Sequence, residues 1–149
     1  MKRRESVSRT VRLCLAVAVA VLVLGTGAGL QAAEEVVRIG NIIPLSGPSA
    51  SVGQQGRNAR EMAVEEINAA GGIKSLGGAK LEMLYADSES KPEKGVAEAE
   101  RMINTEKVHL LTGCWNSAVT YPTTAVAERY GIPFVVPVSV ADKITEQGF

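Results

Sequence analysis

The chain has 149 residues, about the size of one ordinary domain, with 16 basic and 16 acidic side chains and no net charge. Five of the basic residues lie before residue 13, so the chain after residue 32 keeps 11 basic and 15 acidic residues, a net charge of −4. Affinity for nucleic acid comes mainly from clustered Lys and Arg, so this mildly acidic composition excludes a nucleic-acid-binding role.

Residues 1–32 are predicted to be a secretory signal peptide. A basic start is followed by an apolar run of 12 residues, 13–24, and then by small residues that end at Ala32-Ala33. The run is too short for the roughly 20 residues of a membrane-spanning helix, although an uncleaved anchor is the alternative. We therefore expect a periplasmic or secreted domain in residues 33–149. Its one cysteine, Cys114, is interpreted as a buried small residue rather than a reactive thiol.

The rest of the chain alternates strands and helices in the order β-α-β-α-β-α-β. The strands are predicted at residues 36–44, 80–87, 108–113 and 132–136. The first helix ends at Gly71-Gly72 and has an apolar stripe at Ala59, Met62, Ala63, Ile67 and Ala70. The second helix ends near Asn104, and the third begins within residues 117–121 and ends at Gly131. This order predicts an α/β fold with an open parallel sheet flanked by helices.

Three loops, residues 44–53, 113–120 and 137–145, follow the carboxyl ends of the predicted strands, where open α/β sheets bind ligands. The middle loop leads into a helix whose free N–H groups and dipole attract an anion, and the Ser117 hydroxyl can donate as well. A carboxylate of a small ligand would suit this position. Alternatively, Ser117 caps its own helix. Trp115, beside this turn, either packs in the fold or stacks on a ligand.

No catalytic or cofactor motif is visible in the sequence. Gly53-Gln54-Gln55-Gly56 is not a dinucleotide fingerprint, and no phosphate-binding loop is present. His109 has no second histidine with which to form a metal site or a Ser–His pair. A hydrolase using Ser117 or Cys114 would need a base that the chain does not provide. We therefore predict a protein that is not an enzyme and binds no cofactor or metal.

Several stretches resemble the type I periplasmic binding proteins, and specifically the leucine/isoleucine/valine-binding family of ABC transporters. They are Ile39-Gly40 with residues 44–48, residues 68–73, residues 130–133 with Pro137, and Ile144-Thr145 with Gly148-Phe149. The resemblance covers the chain from about Val36 to its end. It implies two α/β lobes that close on a small ligand, with residues 33–149 forming an incomplete N-terminal lobe.

The resemblance also implies which residues hold the ligand. In relatives a serine after the third strand binds the ligand carboxylate, and Ser117 matches it. After the fourth strand, the Val138 carbonyl would accept a hydrogen bond from the ligand ammonium. Two residues later the family has a threonine whose hydroxyl binds the ligand, but this chain has Val140 there. The adjacent Ser139 could supply a hydroxyl instead. The family often has an aromatic residue just before the glycine that matches Gly53, and this chain has Val52 at that position. The predicted ligand-binding residues are Trp115, Ser117, Ala118, Val138, Ser139 and Val140.

The implied function is an exported substrate-binding protein of an ABC importer, with the membrane permease as its partner. Its ligand would be a branched-chain amino acid or a related small solute, such as an amide, a urea or a small acid. The alternative is an extracellular ligand-sensing domain of a receptor or regulator with the same fold.

Overall fold

A parallel sheet of four strands forms the centre of residues 36–148, the part of the chain that the computed structural model describes. The strands are β1 (Val36–Ile43), β2 (Lys80–Asp87), β3 (Leu110–Gly113) and β4 (Phe134–Val135), and the helices are α1 (Ala50–Ala69), α2 (Pro92–Arg101) and α3 (Ser117–Arg129). Single turns of 3-10 helix lie at Lys74–Leu76 and Asp142–Ile144. The predicted α/β fold is confirmed, whereas the predicted leader, residues 1–32, lies outside the described residues.

The strand order is β2-β1-β3-β4, and every neighbouring pair is parallel. Ile43 pairs with Asp87 of β2, and Ile42 pairs with Gly113 of β3, so the carboxyl ends of these strands meet at one edge. After β1 the chain passes to β2 on one side and then returns to β3 on the other. The strand order therefore reverses its direction between β1 and β3.

The main hydrophobic core lies between the sheet and the helices α2 and α3. Its largest fully buried side chains include Ile42, Leu111, Met102 and Val119. Gly40 of β1 has no side chain because a Cβ there would lie 2.6 Å from Leu111 Cδ2 and 2.7 Å from Met102 Sδ. The core therefore closes directly onto the backbone of the central strand.

Several elements are shorter than predicted. Strand β1 ends at Ile43 rather than at residue 44, and β4 covers Phe134–Val135 rather than residues 132–136. Helix α2 ends at Arg101 and is followed by a π-helical turn, Met102–Glu106, before Lys107 adopts a left-handed conformation with φ of 55°. Strand β3 begins at Leu110 rather than at residue 108, and there the Arg38 N–H donates to Nδ1 of the His109 side chain. The His109 ring nitrogen therefore accepts the hydrogen bond that a backbone carbonyl would accept if β3 began earlier.

The apolar stripe of α1 does not face the core. Met62 is 70% exposed and Ile67 is 40% exposed, and the only fully buried residue of the helix is Gly53. Polar contacts orient the helix instead. The Asn68 side chain bonds the N–H and carbonyl of Leu81 in β2, at 2.8 Å and 2.9 Å. Within residues 36–148, none of the helices combines the length and the hydrophobicity needed to cross a lipid bilayer.

Candidate functional site

The loops after β1 and β3 leave the same edge of the sheet and diverge, because the strand order reverses between these two strands. The loop after β4 leaves that edge too, since β4 is parallel to β3. Open parallel sheets bind ligands in the crevice at such a reversal point. The three loops predicted to border a ligand site are therefore brought to one edge.

Asp87, the last residue of β2, holds the loop after β1 in place. Its Oδ1 accepts the N–H groups of Leu45 at 2.8 Å, Ser46 at 3.2 Å and Glu89 at 2.8 Å. Partial burial raises the pKa of Asp87, but the bonds from Ser46, Glu89 and Leu45 outweigh it, so the pKa lies below its usual value. The carboxylate is therefore a charged acceptor that fixes this loop.

The loop after β3 turns sharply at Gly113, which has a φ of 119°. A Cβ at this position would lie 2.0 Å from the Ile42 carbonyl oxygen, so only glycine lets the end of β3 come this close to β1. The turn delivers the chain into α3, whose N-cap residue is Asn116.

Ser117 is the first residue of α3 and does not cap it. The cap position belongs to Asn116, and no side chain makes a cap hydrogen bond there. Val119 and Thr120 donate the first helical hydrogen bonds, both to the Asn116 carbonyl at 2.9 Å. The N–H groups of Ser117 and Ala118 precede these bonds, and within residues 36–148 the Ser117 hydroxyl has no hydrogen-bond partner.

The loops after β3 and β4 are fastened together by two hydroxyl groups. Ser139 Oγ lies 2.9 Å from the Cys114 carbonyl oxygen, 3.2 Å from that of Trp115 and 2.5 Å from Thr120 Oγ1. Thr120 Oγ1 is also 3.2 Å from the Cys114 carbonyl and 3.0 Å from the Asn116 carbonyl. The Ser139 hydroxyl is thus engaged inside the protein.

A cavity of about 80 Å³ lies where the three loops meet α1. Its wall is largely apolar, and among the described residues that line it only Arg60 of α1 is charged. The lining residues are Ile43, Pro44, Val52, Gly53, Gly56, Arg60, Gly113, Cys114, Trp115, Pro137 and Val138. The cavity therefore combines a small apolar recess with a single positive charge.

Two of the six predicted ligand-binding residues line this cavity. Trp115 and Val138 line the cavity, and the Trp115 side chain is 42% exposed, so it is not a core residue. Ser117 and Ala118 stand at the start of α3 and, like Ser139, are not among the residues that line the cavity. Val140 is 87% exposed and makes no contact with the cavity.

Cys114 lines the cavity but is not poised to react. Burial raises the pKa of its thiol to about 11, and the side chain is almost fully buried. Across residues 36–148, no group of three His, Cys, Asp or Glu side chains is placed to hold a metal ion.

Sequence reasoning missed three residues that shape this site: Asp87, Arg60 and Thr120. Asp87 carried a usable signal, because an acidic residue at the end of a buried strand faces the loops of the same sheet edge. Arg60 and Thr120 carried no such signal. Arg60 reaches the cavity because of the orientation of α1, and Thr120 contacts Ser139 of another loop, and the periodicity of the sequence specifies neither.

Comparisons with known proteins agree on one family. The family model described as periplasmic binding protein matches residues 36–149. The Leu/Ile/Val-binding protein homolog 7 of Brucella abortus is 34% identical over 121 residues, which are 81% of this chain and 29% of that protein.

Two solved structures have the same fold. The branched-chain amino acid transporter substrate binding protein LivJ of Streptococcus pneumoniae, in complex with isoleucine, matches with a TM-score of 0.70 and 28% identity over 75% of this chain and 31% of its own. An ABC transporter substrate-binding protein of Desulfitobacterium hafniense, in complex with Leu, matches with a TM-score of 0.67 and 30% identity. The match covers 77% of this chain and 32% of that protein. The chain thus spans about a third of the length of these relatives.

Proposed function

This chain belongs to the periplasmic binding protein family, and on that premise we propose that the complete protein is the exported, non-catalytic substrate-binding component of an ABC importer. It captures a branched-chain amino acid or a related small solute between two lobes and delivers it to a membrane permease. The proposal includes a signal peptide in residues 1–32 and an incomplete N-terminal lobe in residues 33–149. The family match confirms the resemblance drawn from the sequence.

The main support for the proposal is a group of hydrogen-bond donors at the start of α3 that have no partner among residues 36–148. The hydroxyl of Ser117 and the N–H groups of Ser117 and Ala118 make no hydrogen bonds that would compete with a ligand within residues 36–148. The positive end of the helix dipole lies at the same point, and together these donors suit a carboxylate. The two solved relatives hold isoleucine and leucine, which both carry such a group.

Isothermal titration calorimetry on the complete mature protein tests the proposal with a panel of amino acids, amides and small acids. We expect Ser117→Ala to weaken binding by about 1–3 kcal/mol, because a carboxylate loses a hydrogen bond in a desolvated site. Ser75→Ala is the matched control, since Ser75 is exposed in the connection that precedes β2, away from the loop edge.

Two results would contradict the proposal at different levels. Unchanged affinity in a folded Ser117→Ala protein would remove Ser117 from the ligand site. Silence across the whole panel, together with turnover of one of the compounds, would remove the transport role itself. Uptake of the bound solute by cells with and without the gene separates an importer component from a sensor.

A further inference from the structure

The charged wall of the cavity contains an arginine whose guanidinium has no acidic partner. Arg60 Nη1 donates to the Gly56 carbonyl at 2.9 Å, and no carboxylate among residues 36–148 forms an ion pair with it. Arg57, one turn earlier on the same helix, is different. It pairs with Glu61 at 2.7 Å and lies over the Tyr85 ring at 4.8 Å. The two arginines therefore have opposite environments, and only Arg60 borders the cavity.

Gly56 accounts for the position of that guanidinium. A Cβ at Gly56 would lie 2.7 Å from Arg60 Nη1, and apart from Arg60 no group outside the helix's own backbone comes within 4 Å. A glycine inside a helix destabilises it by about 1 kcal/mol relative to alanine. The absence of a side chain here makes room for the Arg60 side chain to fold back along the helix beside the cavity.

We propose that Arg60 is an anion subsite, so that the ligand carries a second acidic group besides the carboxylate assigned to the start of α3. The ligand class is then an acidic amino acid or a small dicarboxylate. This inference rests on the proposed function and narrows it. A guanidinium binds a carboxylate through two parallel N–H···O bonds, and a half-buried cation in an apolar wall gains most from such a partner. A recess of about 80 Å³ holds a group of that size rather than a whole ligand.

The test is titration calorimetry on the complete mature protein with near-isosteric pairs: L-glutamate against L-glutamine, and L-aspartate against L-leucine. We expect each acid to bind more tightly than its neutral partner. Arg60→Gln should weaken acid binding by about 10- to 150-fold, the range for a lost hydrogen bond to a charged group, and change neutral binding by less than about threefold. Arg57→Gln is the control and should leave the preference for acids intact.

A second variant makes the inference sharper because its two effects have opposite signs. Gly56→Ala improves helix propensity and collides only with the movable end of Arg60. We expect a higher melting temperature in the ligand-free protein and weaker binding of the acids.

Three results would overturn the inference. Equal binding of acid and neutral partners, with no effect of Arg60→Gln, overturns it and leaves the proposed function standing. A lower melting temperature of ligand-free Arg60→Gln with unchanged acid affinity would show that Arg60 stabilises the fold through its own contacts, such as the bond to the Gly56 carbonyl, and does not bind the ligand. Failure of both acids to bind while another compound of the wider panel binds would overturn the inference alone, whereas silence across that whole panel with turnover of one compound would overturn the proposed function together with it.

Discussion

Removing the charge of Asp87 should destabilise the protein. Asp87→Asn keeps an oxygen where Oδ1 accepts three N–H groups, from Leu45, Ser46 and Glu89, at 2.8–3.2 Å. Bonds to a charged acceptor are roughly twice as strong as neutral ones, whose net value is about 1 kcal/mol. Part of that gain is screened, because Asp87 is only half-buried. We expect a loss of about 1–2 kcal/mol in the free energy of unfolding.

The pH dependence gives this prediction its second test. The folded-state pKa of Asp87 is lowered, so ionisation stabilises the fold above the unfolded-state pKa, about 3.9, and that stability is lost as the pH falls through the folded-state value. The difference in stability between the wild-type protein and Asp87→Asn, measured by urea denaturation, should therefore be present at pH 7 and should shrink as the pH falls below about 3.9. Asp142→Asn, an exposed aspartate in the last described turn, is the control.

An unchanged difference between wild type and Asp87→Asn from pH 7 to pH 3 would refute the reasoning, because it would show that the charge of Asp87 contributes nothing to the fold. Equal stability at pH 7 would refute it more directly. In that case the three N–H groups would be satisfied equally well by the neutral amide.

Two further predictions concern the core side of the sheet. Gly95→Ala should lower the free energy of unfolding by about 1–3 kcal/mol despite the better helix propensity of alanine. The added Cβ would lie 2.5 Å from Val119 Cγ1 and 2.9 Å from Thr123 Oγ1, where α2 packs on α3. Thermal denaturation checks this, and an equal or higher melting temperature would contradict it. Cys114, with its pKa near 11, should react with a thiol reagent at pH 8 only when the protein is unfolded in urea. Rapid labelling of the native protein would contradict that expectation.

The sequence predicted the two long strands best, because eight residues of strand pattern give a clearer signal than the two to four residues of β3 and β4. Both bounds of β2 are as predicted, and β1 differs by one residue at its end. The third strand is shorter because the His109 ring takes the place of a backbone acceptor, which residue type alone does not reveal. The apolar stripe of α1 does not indicate which side of the helix faces the sheet, for a related reason. Asn68 and the close approach of Gly53 to the Pro44 carbonyl decide it, and neither contributes to an apolar period.

The site was predictable as a place but not as a set of contacts. Parallel strands bring their carboxyl ends together, so the three loops could be assigned to one edge from chain order alone. Partners within that edge come from different loops, as Ser139 and Cys114 do, 25 residues apart in the chain. Such pairs depend on the three-dimensional packing, and the same holds for the approach of Arg60 to the cavity.

The hydroxyl pair of Ser139 and Thr120 bears on which ligands this lobe favours. The resemblance assigns a ligand-binding hydroxyl to the loop after β4, but Val140 has none, and the hydroxyl of Ser139 already bonds the loop after β3. A ligand that recruited Ser139 would break a bond worth about 1 kcal/mol and loosen the two loops that form one wall of the cavity. A ligand that places its charges at the start of α3 and at Arg60 avoids that loss. On the proposed function, we therefore expect the complete protein to favour a solute with two acidic groups over one that depends on a hydroxyl at this loop.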